Sequence, residues 1–169
     1  MARVTQRGIS AAQFFAGPTT FHTGNIGVTA ATEGTDTTPV VTEEYVAFVF
    51  VPMNTKITGL ALLNGSAVAG NVRGILYDSN GAIVASTAST AQAGIAAYQN
   101  IPLSAATDVL GPAMYFIGFR FDNVAARFRS HTIGTFGASK KTGQTYATLT
   151  ALTPPTSFTA SVGPIADTY

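Results

Sequence analysis

Ala113-Met-Tyr-Phe-Ile-Gly-Phe-Arg-Phe121 is the clearest β-strand pattern of the sequence. Side chains of a strand point alternately to opposite faces of a sheet. Here every second residue from Ala113 to Phe121 is apolar, while Gly118, Arg120 and Asp122 fall on the other face. The alternation predicts a strand with one face buried in a core. Each large apolar side chain on that face contributes roughly 1.5–3 kcal/mol when it is buried.

Short runs rich in β-branched and aromatic residues surround this strand. Tyr45–Val51 is apolar on both faces, which predicts a central strand or one covered by another subunit. Asn80-Gly81 suits a tight hairpin, Pro102 places its strand at a sheet edge, and 87–97 reads as a loop. The pattern is typical of an all-β sandwich or barrel of about eight strands. The predicted strands are 45–51, 56–63, 71–78, 82–86, 98–103, 113–121, 127–133 and 157–162, with a weaker one at 145–149.

Residues 1–42 differ from the rest of the chain, because they contain few apolar runs and many Thr, Gly and Ala residues. Turn-forming residues recur along them. We predict an extended N-terminal arm over 1–42 and a β-sandwich domain over 43–169. Phe14, Phe15 and Phe21 are apolar residues that a disordered tail rarely carries together. The arm is therefore expected to dock on its own domain, on a sister subunit or on a larger host surface.

Charged residues make up 10% of the sequence, against roughly 25% in an average soluble domain. So little charge suggests that neighbours cover part of the surface, although hydroxyl and backbone groups are an alternative source of solubility. The net charge of +1, without a basic cluster, gives no reason to expect nucleic acid. The sequence has no cysteine, no secretory signal pattern and no apolar run that could span a bilayer. We expect no disulfide and no membrane partner.

Groups suited to catalysis are few. An enzyme needs ionisable groups within mutual reach, but the histidines are His22, in the predicted arm, and His131, in a late strand. The carboxylates fall in predicted loops or at strand ends. Asp78-Ser-Asn-Gly81 resembles the opening of a calcium-binding loop but lacks the distal bidentate Glu, so a hairpin turn is the better interpretation. We therefore predict no enzymatic activity, no cofactor and no metal site.

One charge pattern indicates a binding surface. In a strand over 127–133, Arg127, Arg129 and His131 share one face, and Arg120 lies nearby on another strand. The face is either an ordinary solvated one or a contact for an acidic partner, such as a capsid floor or an anionic glycan. Sugar recognition generally needs exposed aromatic rings. In this chain, which has no Trp, the candidate rings are Tyr98, Tyr146 and Tyr169.

Three segments together resemble the jelly-roll domains of tailed-bacteriophage virion proteins. They are Ile75-Leu-Tyr-Asp-Ser-Asn-Gly-Ala-Ile-Val-Ala85, Ile101-Pro-Leu103 and Leu110-Gly-Pro-Ala-Met-Tyr-Phe-Ile-Gly118. In that family a strand ends in Tyr-Asp, a hairpin turns on Gly, and a later Pro-x-x-Tyr strand closes the sandwich. The resemblance implies a jelly-roll-like antiparallel sandwich and an N-terminal arm that laces onto the capsid or a neighbouring subunit. It also implies a homo-oligomer, often a trimer.

The resemblance leads us to expect a virion structural protein at the capsid surface. The chain lacks the collagen-like, coiled-coil or repeat segments that lengthen a fibre, which favours a capsid decoration (cement) subunit that stabilises the major capsid lattice. Its expected partners are the major capsid protein or other virion subunits, and further copies of itself. The alternative is a tail-tip or fibre module that binds a receptor or glycan. The expected contact residues are Phe14, Phe15, Phe21, Arg127 and Arg129.

Overall fold

In a computed structural model of the protein, residues 113–121 form the middle strand of a six-stranded sheet. The structure describes residues 21–23, 34–131 and 137–169. These residues contain no helix, and their antiparallel sheets form a sandwich-like arrangement, which confirms the all-β prediction. The strands are β1 (Phe21–His22), β2 (Thr35–Thr37), β3 (Glu44–Val51), β4 (Thr55–Leu63), β5 (Asn71–Tyr77), β6 (Ile83–Ser86), β7 (Thr90–Ala91), β8 (Tyr98–Val109), β9 (Ala113–Phe121), β10 (Phe128–Ser130), β11 (Ser139–Lys141) and β12 (Ala166–Thr168).

Two sheets face each other across the core. The six-stranded sheet has the order β11-β3-β9-β5-β6, with β7 also paired to β5, and the four-stranded sheet has the order β1-β12-β4-β8. β2 and β10 form a separate pair. The sheets also meet along both sides, because Thr23 bridges to Val49 of β3 and Thr87 bridges to Leu103 of β8. The two sheets thus cover the two faces of the core, and these bridges close it along its sides.

The inner face of β9 fills the space between the sheets. Its apolar side chains belong to one buried cluster with residues of β3, β4, β5 and β8. Phe121 stacks on Phe128 of β10, with ring centroids 5.1 Å apart, and Tyr45 of β3 contacts both rings. Aromatic pairs of this kind add about 0.5–1.5 kcal/mol beyond the area that they bury. The cluster joins the short strand β10 to the main core.

The predicted strands between residues 45 and 121 are confirmed, including the edge position of the strand that contains Pro102. That strand continues to Val109, because β8 passes a bulge opposite β4 and then pairs again. The predicted strands at 157–162 and 145–149 were wrong: both stretches lie in turns and irregular structure. Of the predicted strand 127–133, β10 covers the middle, and residues 132–133 lie outside the described residues. The additional strands are two or three residues long.

Part of the predicted arm belongs to the sandwich. β1 pairs antiparallel with β12, where Phe21 lies opposite Thr168, and β2 pairs antiparallel with β10, where Asp36 lies opposite Arg129. Phe21 is buried in the main core cluster. Residues 21–23 and 34–37 are thus integral to the fold, whereas residues 1–20 and 24–33 lie outside the described part of the chain.

A buried ion pair lies on the outer face of the six-stranded sheet. Glu44 of β3 lies directly opposite Arg120 of β9. The Arg120 Nη2 and Nε atoms donate to Glu44 Oε2 at 2.6 and 2.9 Å, and neither residue is accessible to solvent. The sequence had placed Arg120 near a solvent-facing basic stripe. That prediction was wrong, because a distant segment of the chain covers this face of the sheet.

The covering segment is residues 144–152, and the remaining donors of Arg120 hold it in place. Arg120 Nη1 donates to the carbonyl oxygens of Thr145 and Thr148, at 2.9 and 2.6 Å. Leu152 packs in a small apolar cluster with Tyr77 and residues of β3 and β5. Burial and the charge of Glu44 raise the pKa of Tyr77, so its hydroxyl stays protonated and donates to Glu44 Oε1. The ion pair therefore organises both the sheet and its cover.

Replacing Glu44 with Gln should lower the free energy of unfolding by about 3–5 kcal/mol, because the Arg120 charge then remains buried without a counter-charge. Denaturant titration followed by circular dichroism measures the change. Asp108→Asn is the matched control, since Asp108 is an exposed carboxylate on the edge strand β8. A surface change of this kind should stay within about 0.5 kcal/mol. Equal losses in the two variants would contradict a stabilising role for the pair.

Candidate functional site

The predicted basic stripe is smaller in the structure than in the sequence. Arg127 and Arg129 are partly exposed on or beside β10, but His131 is buried. Arg129 Nε lies 3.9 Å from the Oδ1 atom of Asp36. Burial raises the pKa of Asp36, but hydrogen bonds from Ser66 and the charges of the two arginines outweigh it, so the pKa lies below its ordinary value. The chain thus supplies a counter-charge to the surface predicted for an acidic partner.

Residues 21–23, here called the anchor segment, are fixed to the sandwich by several bonds. The Phe21 N–H donates to Thr168 Oγ1 at 3.3 Å, and the Thr23 N–H donates to the carbonyl oxygen of Ala166 at 2.8 Å. The Thr23 hydroxyl donates to the carbonyl oxygen of Pro164 at 2.8 Å. Phe21, an expected partner contact, packs in the core of its own domain. The other two expected arm contacts, Phe14 and Phe15, lie outside the described residues.

Both histidines of the chain are associated with the anchor segment. His22 Nδ1 contacts Asp167 Oδ1, and the contact is an ion pair when the histidine is protonated. His131 Nε2 lies 3.0 Å from Thr23 Oγ1. Because the Thr23 hydroxyl proton is donated elsewhere, Nε2 of His131 carries the proton of this hydrogen bond. Burial lowers the pKa of His131. Burial raises the pKa of Asp167, and the interaction of Asp167 with His22 offsets part of that rise.

Exposed apolar side chains gather at one end of the sandwich. Met53, after β3, is 48% exposed; Leu110, after β8, is 71% exposed; and Met114, in β9, is 38% exposed. The two loops touch, because the backbone of Met53 fills the space that a side chain on Gly111 would need. We call Met53, Leu110 and Met114 the distal patch. Sequence reasoning missed it, since two of its members lie in loops, where apolar residues follow no periodic pattern.

Most carboxylates of the described residues have structural roles. Asp78 Oδ1 accepts hydrogen bonds from the N–H groups of Asn80 and Ala82, both at 2.9 Å, in a tight turn. Gly81 in this turn has φ +83°, which supports the hairpin-turn interpretation. Asp108 is exposed. Five accept a hydrogen bond from their own chain, namely Asp36, Glu43, Glu44, Asp78 and Asp122, and Asp167 contacts His22.

Neither a metal site nor a membrane span emerges from the described ranges. The described His, Asp and Glu residues form no group of three or more that could hold a metal ion. In the same part of the chain, no helix is long and apolar enough to cross a membrane.

Two surface clefts of about 200 Å³ are smaller than typical ligand pockets, which measure roughly 300–1,000 Å³. One lies beside Lys140 and Lys141. These lysines are already engaged, as Lys140 Nζ donates to Glu43 Oε1 and Lys141 Nζ donates to the carbonyl oxygen of Ala151, both at 2.8 Å. The other cleft lies between β6 and β8 and is lined mainly by Ala and Ser. Neither cleft offers an uncommitted charged group to an anionic ligand.

The three tyrosines predicted as sugar-binding platforms each have an internal contact. Tyr98 packs against the buried pair Leu63 and Ile165. The Tyr146 hydroxyl lies 2.8 Å from the hydroxyl of Ser89. The ring of Tyr169 lies against Gly59. All three rings are half-buried, so each has less surface left for stacking on a sugar than an exposed aromatic residue has.

His131→Gln should flatten the loss of stability in weak acid. The buried, neutral His131 has a lowered pKa, so the unfolded chain binds its proton first as the pH falls below about 6.5. The free energy of unfolding therefore decreases as the pH decreases in this range, by up to about 1.4 kcal/mol per pH unit. Gln keeps a donor toward Thr23 but does not titrate. Urea titrations of both proteins between pH 7.5 and 5 measure the difference.

The stability contribution of Asp167, the carboxylate that faces His22, changes with pH in the opposite direction. Asp167, with its raised pKa, takes up its proton more readily in the folded state, which adds stability as the pH falls further. Asp167 and the facing His22 are present in both proteins, so the difference between the two curves isolates His131. Parallel curves for the parent and the variant would contradict the assignment of a neutral, buried imidazole.

Comparison of the chain with protein-family models, with curated proteins and with solved structures finds no match.

Proposed function

We propose that this chain is a virion structural protein, a capsid decoration (cement) subunit of a tailed bacteriophage that binds and stabilises the major capsid lattice. The strand and turn pattern that resembles phage jelly-roll domains supports this proposal, and the all-β sandwich is compatible with it. The expected partners are the major capsid protein and further copies of this chain, in a trimer. The expected location is the outer surface of the capsid.

The observation that carries the proposal is the attachment of the anchor segment. A chain end that binds a partner is useful as a tether when it is firmly joined to its own domain. Residues 21–23 meet this condition through backbone pairing with β12, a buried Phe21 and the Thr23 hydroxyl, which bonds to Pro164. The preceding residues include Phe14 and Phe15, aromatic side chains of the type enriched in the buried core of protein interfaces.

The surface of the domain supports binding rather than turnover. Charged side chains are scarce, and most of the described carboxylates stabilise turns, strands or ion pairs of the chain itself. The distal patch provides exposed apolar area, and the partly exposed Arg127 and Arg129 provide positive charge beside β10. The tail-tip alternative has less support, because the three candidate tyrosine rings are half-buried in internal contacts.

In the proposed mechanism, the subunit acts only through the contacts that its arm makes with capsid subunits. Each arm contact buries apolar side chains, and each large one contributes roughly 1.5–3 kcal/mol when it is fully buried. A trimer whose three arms bind neighbouring capsid subunits converts the second and third contacts into intramolecular events. This raises the overall avidity by a factor of about 10²–10⁴ over a single contact. Such a subunit reinforces the shell against internal genome pressure because it joins capsid subunits that would otherwise separate.

Deleting residues 1–18 tests the tether. The deletion leaves the anchor segment and β2 in place, unlike removal of all of 1–42, which would take Phe21 out of the core. The shortened chain should stay folded, with an unchanged β-sheet circular-dichroism spectrum, but fail to co-sediment with capsids assembled without this subunit. The double variant Phe14→Ser/Phe15→Ser should bind at least about thirtyfold more weakly, as expected when a hot spot worth about 2 kcal/mol is lost.

Ile95→Ser is the control, because it removes another exposed apolar side chain (61% exposed) while the arm stays intact. It should bind capsids as the parent does. Undiminished capsid binding by the deletion variant would reject the tether, and failure of the full-length chain to bind capsids would reject the decoration function. Glycan binding by the full-length chain that depends on Tyr98, Tyr146 or Tyr169 would favour the tail-tip alternative.

A further inference from the structure

The loops of the distal patch carry no charge. Residues 50–55 and 109–115 contain no Asp, Glu, Lys or Arg. Phe50 lies directly opposite Met114 in the register of β3 and β9, and its half-buried ring extends the apolar surface on the outer face of the sheet. Exposed apolar patches on soluble proteins mark interaction sites when they are contiguous. The distal patch is therefore a candidate interaction site.

Hydrogen bonds hold the patch in one arrangement. The Gly111 N–H donates to Asn54 Oδ1 at 2.9 Å, which joins the loop after β3 to the loop before β9. The Tyr115 hydroxyl accepts from the Leu110 N–H at 3.1 Å and donates to the Leu110 carbonyl oxygen at 2.9 Å. A surface that is already ordered loses little conformational entropy when a ligand binds. The patch is therefore suited to capture a short, mobile apolar segment.

Phe21, the described residue nearest to Phe14 and Phe15 in sequence, lies at this same end of the sandwich. Thr23 lies opposite Val49 in an antiparallel bridge. In antiparallel pairing, a step toward the N-terminus on one strand is a step toward the C-terminus on the other. The same register therefore places Phe21 beside Val51, and both side chains belong to the main core cluster. Phe21 thus lies where β3 ends and Met53 begins the distal patch.

We propose that the distal patch is the docking site for Phe14 and Phe15 of the same chain. Phe15 precedes Phe21 by six residues, which span roughly 20 Å at about 3.3 Å per residue. Gly17-Pro18 lies between them and favours reversal of the chain direction. Methionine side chains adapt readily to their surroundings, and contacts between a sulfur and an aromatic ring are favourable, so Met53 and Met114 suit an aromatic ligand.

The effective concentration of the arm favours docking within one chain over docking onto a second copy. A short linker holds its ligand at an effective concentration on the order of millimolar, which exceeds the concentration of other copies in a micromolar solution. While the arm is docked, the patch would cover Phe14 and Phe15. A partner surface that binds these two residues would then take the place of the patch. This inference does not depend on the identity of that partner, because the docking occurs in the isolated chain.

Thiol cross-linking tests the docking directly, since the chain has no cysteine of its own. The variant Ala16→Cys/Leu110→Cys places one thiol beside the aromatic pair and one in the patch, and it keeps Phe14, Phe15, Met53 and Met114. A short bismaleimide is added to an equal mixture of ¹⁵N-labelled and unlabelled full-length protein. Mass spectrometry of the cross-linked peptides then separates links within one chain from links between two chains.

The matched control is Ala16→Cys/Ile95→Cys. Ile95 is an exposed apolar residue at the opposite end of β4, where the neighbouring Ala96 N–H donates to the Gly65 carbonyl oxygen. Links from residue 16 to residue 110 should form within one chain at least about tenfold faster than links to residue 95. This ratio corresponds to about 1.4 kcal/mol of docking free energy. Adding Phe14→Ser/Phe15→Ser should abolish the difference.

Three results would overturn the proposal. Equal rates toward residues 95 and 110 would mean that the arm has no preferred site. Peptides that combine labelled and unlabelled chains would assign the patch to the arm of a second copy. A fast link that persists without the two aromatic side chains would mean that the chain path, and not Phe14 and Phe15, brings the arm to the patch. The assay uses isolated protein, so its outcome is independent of capsid binding.

Discussion

The charge pair between Glu44 and Arg120 fixes the register of the central strands. The two residues lie opposite each other in β3 and β9, and a slip of one residue would turn them to different faces. An unpaired charge would then be buried, at a cost of several kcal/mol. The pair also explains Gly118, since the Glu44 carboxylate occupies the space that a side chain there would need. The cover over this face, residues 144–152, depends on the donors of Arg120 in turn.

Much of the fold was predictable because long strands bury one face or both. The alternation in β9 and the apolar run in β3 indicated their positions without any tertiary information. β2, β11 and β12 were missed, since three residues are too few for a periodic pattern and their pairing depends on distant partners. Thr168, for example, binds the backbone of a residue 147 positions earlier. The stretch 157–162 contains apolar residues that suggested a strand, yet Phe158 is 50% exposed.

The surfaces were less predictable than the strands. Alternation correctly assigned Arg120 to the face opposite the core, but a local pattern does not show that a later segment covers that face. Phe21 was expected to dock on its own domain, on a sister subunit or on a host surface. In the structure it lies in the core of its own domain. His131 shares a strand pattern with Arg127 and Arg129 but is buried beside Thr23. In each case the deciding neighbour is more than 20 residues away in sequence.

The direction in which β1 joins the sandwich has a mechanical consequence. Interstrand hydrogen bonds of an antiparallel pair run perpendicular to the strands. A pull on Phe21 along the axis of β1 therefore acts across the bonds to β12 and loads them together, in shear. If the tension acted at right angles to the strand, the bonds would break one after another. Phe21, wedged in the core at the loaded end, must also leave its apolar surroundings before the strand can slide. A three-residue attachment can thus bear more force than its length suggests.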